Sequence, residues 1–187
     1  TPTIEQDIMN GLYKWSEAKP AQHKATILFS GSAHAAARAA AEELHAHFDV
    51  SAELWSATSY KTLREEAVVT ERWNRLHPTE TPRVPRVTQL LSESSGPIVA
   101  VTDFVRSVPE QIGRYVGART FTPLGTDGMG RSDTREALRD HFEVDMPHVV
   151  VTVLHELALS GQISKSVVAE AITRYGIQTE TLGALYA

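Results

Sequence analysis

The sequence contains no cysteine, and this absence alone excludes disulfides, thiolate catalysis and zinc bound through cysteine. It also lacks an apolar run near the roughly 20 residues that cross a membrane, and no basic start precedes a hydrophobic stretch as in a signal peptide. Because 18 basic residues stand against 23 acidic ones, the net charge of -5 disfavours nucleic acid as a partner. We expect a cytoplasmic protein that binds neither nucleic acid nor membrane.

Familiar ligand motifs are missing as well. The sequence has neither the G-x-G-x-x-G of dinucleotide-binding turns nor the G-x-x-x-x-G-K-[ST] of phosphate-binding loops. His155-Glu156 begins like a zinc-protease helix, but Leu159 stands where the second histidine is required. His45 and His47 are two residues apart on a predicted helix, so their side chains diverge. The sequence therefore predicts no catalytic, cofactor-binding or metal-binding residues.

What the sequence does contain is the pattern of a globular domain. With 42% hydrophobic and 22% charged residues, the 187-residue chain can bury a sizeable core. We interpret residues 1–20 as a lead-in segment with a possible edge strand, and residues 21–187 as one domain. Short apolar runs alternate with helical patterns, which predicts an α/β fold with a mainly parallel sheet covered on both faces.

The predicted strands are short and end in polar or glycine-containing turns. They are GLYKWSE, KATILFSGS, VSAELWSATS, GPIVAVTDF and RTFTPLG. The predicted helices are AHAAARAAAEELHAHF, SYKTLREEAVVTERWNRL, VTQLLSES, TREALRDHF, MPHVVVTVLHELALSG and SKSVVAEAITRYG, with Pro147 in the first turn of the fifth and Gly176 just after the sixth. Within the second helix the expected buried positions are Leu63, Val69, Trp73 and Leu76.

Polar residues at two predicted strand ends admit two interpretations. Ser30-Gly31-Ser32 resembles a nucleophile turn, but G-x-S-x-G is missing, so a plain strand-to-helix turn is favoured. Asp103 lies where open parallel sheets bind ligands, and it also suits a turn in which an aspartate accepts backbone hydrogen bonds. The turn is the favoured interpretation for both.

The segment LGTDGMGRSDTREALRDHFEVD, residues 124–145, is the most unusual part of the chain. Its glycines at 125, 128 and 130 allow uncommon backbone angles or close approach of another chain. Asp133 is predicted to cap the following helix, with Glu136 three residues later as in a capping box. Three interpretations remain open, which are a loop that contacts another protein, a purely structural turn and a phosphate cradle.

Several long motifs together carry a family resemblance. They are WSATSYKTLREE (55–66), ERWNRLHPTETPRVPRVTQLL (71–91), GPIVAVTDF (96–104), VPEQIGRYV (108–116) and residues 124–145. In unbroken order from about Gly11 to Tyr175, they resemble the C-terminal domain of the homodimeric pyruvate dehydrogenase first component, a thiamine-diphosphate enzyme. The resemblance implies a transketolase-like three-layer α/β/α sandwich with a mostly parallel, five-stranded sheet.

The resemblance also implies where the chemistry lies. In such enzymes a GDG…N motif in other domains binds magnesium and thiamine diphosphate, and this chain by itself is expected to bind neither and to be inactive. The parent reaction would be oxidative decarboxylation of pyruvate with acetyl transfer to a lipoyl group on the second component. The expected partners are the cofactor-binding domains or subunits of the same enzyme, a second copy in a homodimer, and that lipoyl-bearing component.

A C-terminal domain of this kind is expected to contribute to the domain or dimer interface and to the active-site entrance. The residues that the resemblance assigns to this interface or entrance loop are Trp55, Ser56, Thr58, Ser59, Asp103, Thr126, Asp127, Gly128, Gly130, Arg131, Ser132 and Asp133.

Departures from the family pattern leave other functions open. GSAHAAARAA is richer in alanine than expected, and Met129 replaces the usual phenylalanine. These differences allow a diverged relative that acts on another 2-oxo acid or a subunit of a split enzyme, and the start at Thr1 suggests a processed or excised segment. All three interpretations remain open. A stand-alone protein-interaction module and a phosphate- or nucleotide-binding domain using the loop at 125–133 are the alternatives from other functional classes.

Overall fold

The computed structural model describes residues 2–186. Thr1, the first residue of the predicted lead-in segment, and Ala187, the last residue of the predicted domain, lie outside the described residues. A five-stranded sheet runs through the molecule in the order β1-β3-β2-β4-β5. Only β1 is antiparallel to its neighbour, and it lies at an edge, as the alternation in GLYKWSE predicts. The strands are β1 (Leu12–Ser16), β2 (His23–Phe29), β3 (Val50–Ala57), β4 (Ile98–Val101) and β5 (Phe121–Leu124).

The helices follow the sequence signals closely. The alanine-rich segment is helical throughout, Ser59 and Asp145 cap the helices that follow them, and Gly176 ends the last helix with a left-handed backbone. The helices are α1 (Pro2–Met9), α2 (His34–Phe48), α3 (Tyr60–Leu76), α4 (Arg86–Leu90), α5 (Ser107–Glu110), α6 (Arg135–His141), α7 (Met146–Leu159) and α8 (Lys165–Tyr175). Among the described residues, none of these helices is long and apolar enough to cross a membrane.

Both faces of the sheet are buried, so the predicted three-layer α/β/α sandwich is confirmed. Successive residues of a strand point to opposite faces. Ile27 therefore packs in one core with α2, α7 and α8, whereas the adjacent Leu28 packs in the other with α3 and α4. The short, apolar strand β4 contributes to both cores, as expected of a strand in the middle of a parallel sheet.

Three predictions about local structure were wrong or incomplete. Val69 and Leu76 were expected to be buried but are 66% and 57% exposed. Leu63 is buried as predicted, Trp73 is only partly buried, and the buried face continues through Ala67 and Thr70, which lie four and seven residues after Leu63. The lead-in segment also contains α1, which the sequence pattern did not indicate.

Candidate functional site

The carboxyl ends of the four parallel strands meet at one edge of the sheet, which we call the strand-end edge. Phe29 of β2 pairs with Ser56 of β3 and Val101 of β4, and Val101 pairs with Leu124 of β5. Four strands at the usual spacing cover roughly 15 Å. The predicted interface residues are thereby brought to one edge, because each group lies in the last residues of one of these strands or follows it directly.

A cleft of about 500 Å³ opens at the strand-end edge. The chain leaves β2 toward β3 on one side and leaves β4 toward β5 on the other, so the strand order reverses between β2 and β4. Ligands of open α/β sheets bind at such a reversal. We call this opening the switch-point cleft, and its lining residues are Ser32, Ala33, Thr102, Asp103, Thr126, Asp133, Arg135, Leu138, Arg139, Phe142 and Val144.

Asp103 accepts hydrogen bonds from donors on both sides of the cleft. Its Oδ2 accepts a hydrogen bond from the backbone N–H of Ser32 at 3.1 Å, and its carbonyl oxygen accepts one from the hydroxyl of Thr126 at 3.0 Å. The first contact places a carboxylate of the chain itself at the start of α2. An external phosphate would have to compete with this internal anion for the helix N-terminus, so the geometry does not favour a phosphate there.

Ser30 is engaged in the interior of the protein. Its side chain is buried, and its hydroxyl lies 2.6 Å from the hydroxyl of Thr102. A nucleophile must be reachable by its substrate, whereas this hydroxyl fastens the end of β2 to the end of β4. The turn interpretation of Ser30-Gly31-Ser32 therefore fits the geometry.

The glycine loop, residues 125–133, is tied to the segment that follows β4. Asp127 forms an ion pair with Arg106 at 2.6 Å, and the backbone N–H of Thr126 donates to the carbonyl of Phe104 at 2.9 Å. A Cβ atom at Gly125 would lie 2.5 Å from the same carbonyl oxygen, so only glycine allows this approach. The loop is thus positioned by contacts within the chain, while Arg131 and Ser132 remain exposed.

The predicted cap of α6 was wrong by one residue. The side chain of Thr134 is the cap, and it accepts a hydrogen bond from the backbone N–H of Ala137 at 3.3 Å. Asp133 instead accepts from the N–H of Thr134 at 2.7 Å. Both residue types can cap a helix, and the backbone path of the loop selects the threonine.

The C-terminal residues contact the glycine loop directly at Gly128. Gly128 has a φ of +100°, and a Cβ atom there would lie 2.1 Å from the carbonyl oxygen of Ala184. We expect Gly128→Ala to displace residues 177–186 while costing only about 1 kcal/mol of global stability, because an exposed terminal segment can move away. Hydrogen exchange in peptides covering residues 177–186 would measure this, with increased exchange as the expected result.

The matched control is Gly130→Ala in the same loop. Nothing lies within 4 Å of a Cβ atom at Gly130. Exchange in the C-terminal segment should therefore stay at the wild-type level. Equal exchange in the two variants would contradict the role assigned to the contact at Gly128.

The predicted interface residues at the end of β3, which are Trp55, Ser56, Thr58 and Ser59, mainly stabilise local structure. Thr58 donates its hydroxyl to the carbonyl of Ile8 at 2.7 Å, and Ser59 accepts from the N–H of Thr62 at the start of α3. Trp55 is only 4% exposed, so it offers little surface to another protein. Ser56 is partly exposed. The interface role of these residues and of the glycine loop stays a prediction.

Sequence reasoning missed two arginines that line the switch-point cleft. Arg135 and Arg139 lie four residues apart on α6 and therefore share a helical face. Arg139 donates to the carbonyl of Ser32 at 3.3 Å. The i, i+4 spacing was the available signal, but on a charged helix it is also typical of a solvent-facing surface.

A second polar cluster is explained by helix capping. The side chains of Asp140, Asp145 and His148 bring a possible ligand atom each to within 4.8 Å of one another. Asp145 Oδ1 accepts from the backbone N–H of His148 at 3.1 Å and lies 2.6 Å from its Nδ1. Burial lowers the pKa of His148, but the hydrogen bond to Asp145 and the nearby acidic charges outweigh it and raise the pKa above 6.5. The cluster stabilises the start of α7.

Comparison with known proteins places these features in context. Residues 11–145 match the family described as the transketolase-like TK C-terminal domain. Over 176 residues the chain is 44% identical to the pyruvate dehydrogenase E1 component of Escherichia coli, and this covers 94% of the chain and 20% of that protein. The E1 component of Mycobacterium tuberculosis is 42% identical over 173 residues, covering 92% of the chain and 18% of that protein. The chain thus spans about a fifth of the length of the curated relatives it matches.

Solved structures share the fold at lower sequence identity. A split-gene transketolase, described as an inactive beta4 tetramer, has a TM-score of 0.54 and 18% identity, covering 80% of this chain and 43% of that one. The transketolase of Leishmania mexicana has a TM-score of 0.52 and 19% identity, covering 81% of this chain and 18% of that one. At these identities the similarity concerns the fold alone.

Proposed function

The chain belongs to the family of transketolase-like C-terminal domains, and from this premise we propose that it serves as the C-terminal domain of a thiamine-diphosphate-dependent pyruvate dehydrogenase first component. The observation that carries the proposal is the 44% identity to the Escherichia coli E1 component over 94% of the chain. The parent reaction would be oxidative decarboxylation of pyruvate with acetyl transfer to a lipoyl group. The proposal includes a cytoplasmic enzyme that works as a homodimer with a lipoyl-bearing second component.

The residues of this chain do not fit the cofactor site of such an enzyme. Thr126-Asp127-Gly128 resembles the GDG part of the motif, but no asparagine follows it anywhere in the sequence. Asp127 is also neutralised by its ion pair with Arg106. We therefore assign thiamine diphosphate and magnesium to the other domains and assign no catalytic step to this chain.

The role that we propose for the chain is to bind the cofactor-binding domains through the strand-end edge. Arg131 is exposed and forms no ion pair or hydrogen bond among residues 2–186, so its charge is available to another protein. Phe104, Val105 and Met129 are exposed apolar side chains at the same edge. Apolar groups beside a free arginine match the composition of protein interfaces, in which arginine and large apolar residues are enriched.

A chimera with the Escherichia coli enzyme tests the proposal. The C-terminal 20% of that enzyme would be replaced by this chain, and reductive acetylation of a lipoyl domain by pyruvate would be measured. We expect activity from the chimera and none from the truncated enzyme or from this chain alone, because the cofactor groups and the scaffold reside in different parts. Pyruvate turnover by the pure chain with thiamine diphosphate and magnesium would contradict the proposal, as would a folded but inactive chimera.

Two charge reversals locate the interface within the chimera. Arg131→Glu in the glycine loop is expected to reduce both activity and dimer content about tenfold or more, because a desolvated charge pair at an interface is disrupted. Arg72→Glu is the matched control, since Arg72 is exposed on α3 about 18 Å along the helix from its start at the strand-end edge. Equal losses from both variants would argue against an interface at the glycine loop.

A further inference from the structure

The switch-point cleft has features that an interface alone does not explain. Its volume of about 500 Å³ lies in the range of small-molecule sites. It opens where the strand order reverses. The cleft therefore has both the size and the position that α/β proteins use for binding small ligands.

Two cationic groups of the cleft are available to a ligand. Arg135 is exposed and makes no hydrogen bond or ion pair with any residue from 2 to 186. Within residues 2–186, the side chain of Arg139 donates one hydrogen bond, from Nη2 to the Ser32 carbonyl, so the other N–H groups of its guanidinium are free donors. Because both side chains extend from one face of α6, they can bind a single carboxylate between them.

Two carboxylates line the same cleft, and they restrict which charges the ligand can carry. Asp103 uses Oδ2 to accept from Ser32, whereas its Oδ1 accepts no hydrogen bond in the described part of the chain. Asp133 adds a second negative charge from the glycine loop. A ligand carrying only negative charge would be repelled by these groups, and one carrying only positive charge would be repelled by the arginines.

The remaining wall of the cleft is apolar. Leu138, Phe142 and Val144 line it, and each is at least partly buried. Removing an apolar side chain of the ligand from water against this wall favours binding, and the Phe142 ring provides a partner for an aromatic group.

We propose that the switch-point cleft binds an α-amino acid with an apolar side chain. Arg135 and Arg139 bind its carboxylate, Asp103 accepts from its ammonium group, and the side chain packs against Leu138, Phe142 and Val144. The zwitterion matches the two charges of each sign in the cleft, which a simple anion such as phosphate does not.

The test is a titration of the full chain with L-phenylalanine, followed by the backbone amide signals in NMR spectra. We expect saturable shifts at Ser32, Thr126 and Arg139 with a dissociation constant of about 1 mM or below. Hydrocinnamate lacks the ammonium group, and phenethylamine lacks the carboxylate. Each analogue should bind about tenfold more weakly or worse, because one charged pair is left unmatched. Inorganic phosphate should produce no saturable shift at these residues.

Arg135→Gln is the informative variant, because it removes a charge that contacts nothing else in the described chain. It should weaken L-phenylalanine binding about tenfold while the rest of the spectrum shows an intact fold. Arg72→Gln, a distant exposed arginine, should bind like the wild type. The proposal is overturned if no saturable shift occurs up to about 20 mM, if hydrocinnamate or phosphate binds as tightly as L-phenylalanine, or if Arg135→Gln has no effect.

These outcomes are independent of the dehydrogenase proposal. The titration concerns residues of one chain, whereas the chimera reports on assembly and turnover. Failure of one experiment therefore leaves the other result interpretable.

Discussion

Replacing Glu53 with alanine is expected to lower the free energy of unfolding by about 3 kcal/mol at pH 7, because partly buried cationic groups and a buried hydroxyl lose their partner. Glu53 is 8% exposed on β3, at a site lined by cationic and hydroxyl groups. Its carboxylate lies 3.3 Å from Lys14 Nζ and accepts from the hydroxyl of Thr26 at 3.3 Å. Arg119 donates to the same hydroxyl at 2.5 Å and to the carbonyl of Gly96 at 2.7 Å. Removing the carboxylate disturbs this whole network.

Equilibrium unfolding in urea would measure the effect. Glu42→Ala is the matched control, since Glu42 is exposed on α2 and forms no ion pair within the described residues. That control should change the free energy of unfolding by less than about 0.5 kcal/mol. Equal losses in the two variants would mean that the buried network contributes nothing specific.

The stabilisation that Glu53 provides depends on pH. Burial raises the pKa of Glu53, but the polar groups of Ser94 and Trp55 and the charge of Lys14 lower it more, so the pKa lies below its ordinary 4.5. For a carboxyl group of this kind, the stabilisation is complete above the unfolded-state pKa and is lost as the pH falls through the folded-state pKa. The difference in stability between wild type and Glu53→Gln should therefore shrink as the pH is lowered from about 5 to about 3.

Replacing Gly96 with alanine is expected to cost about 3 to 5 kcal/mol, since backbone strain and steric overlap act together. Gly96 has a φ of +75°, and a Cβ atom there would lie 1.7 Å from the carbonyl oxygen of Lys24 in β2. That oxygen belongs to the backbone of a central strand, which cannot move without breaking its pairing with β3. Thermal and urea unfolding of the variant would measure the loss.

Gly117→Ala separates the two contributions to this loss. Gly117 has a similar φ of +77°, but nothing lies within 4 Å of a Cβ atom there. The control therefore incurs only the backbone strain, about 1 kcal/mol. If Gly96→Ala were no more destabilising than Gly117→Ala, the close approach of Gly96 to β2 would not matter for stability.

Much of the fold could be predicted because its signals are local. The alanine-rich run of α2, the apolar run of β4 and the glycine after α8 each specify their element through neighbouring residues. Val69 and Leu76 were misplaced because an apolar residue on a helix does not reveal which face the sheet covers. The cap of α6 was misplaced by one residue because Asp133 and Thr134 are both good caps.

The candidate site was predicted only in part. The position of Asp103 followed from its place after a buried strand, since the ends of parallel strands meet at one edge. Its contact with Ser32, 71 residues away in sequence, is not a local property. The contact of Gly128 with Ala184 and the approach of Arg139 to Ser32 also join residues that are far apart in sequence.

By itself, therefore, the sequence determined the five strands, the longer helices, the α/β class and the family, because periodicity, capping and motif order are read along the chain, whereas the short helices α1 and α5 were not indicated. Only the tertiary structure decided that Arg135 and Arg139 face Asp103 across a cleft, that Glu53 is buried among cations, and that the C-terminal segment lies on Gly128. The physical reason is that burial and electrostatic pairing depend on distances in space between residues far apart in sequence, and these distances are set by how the layers pack.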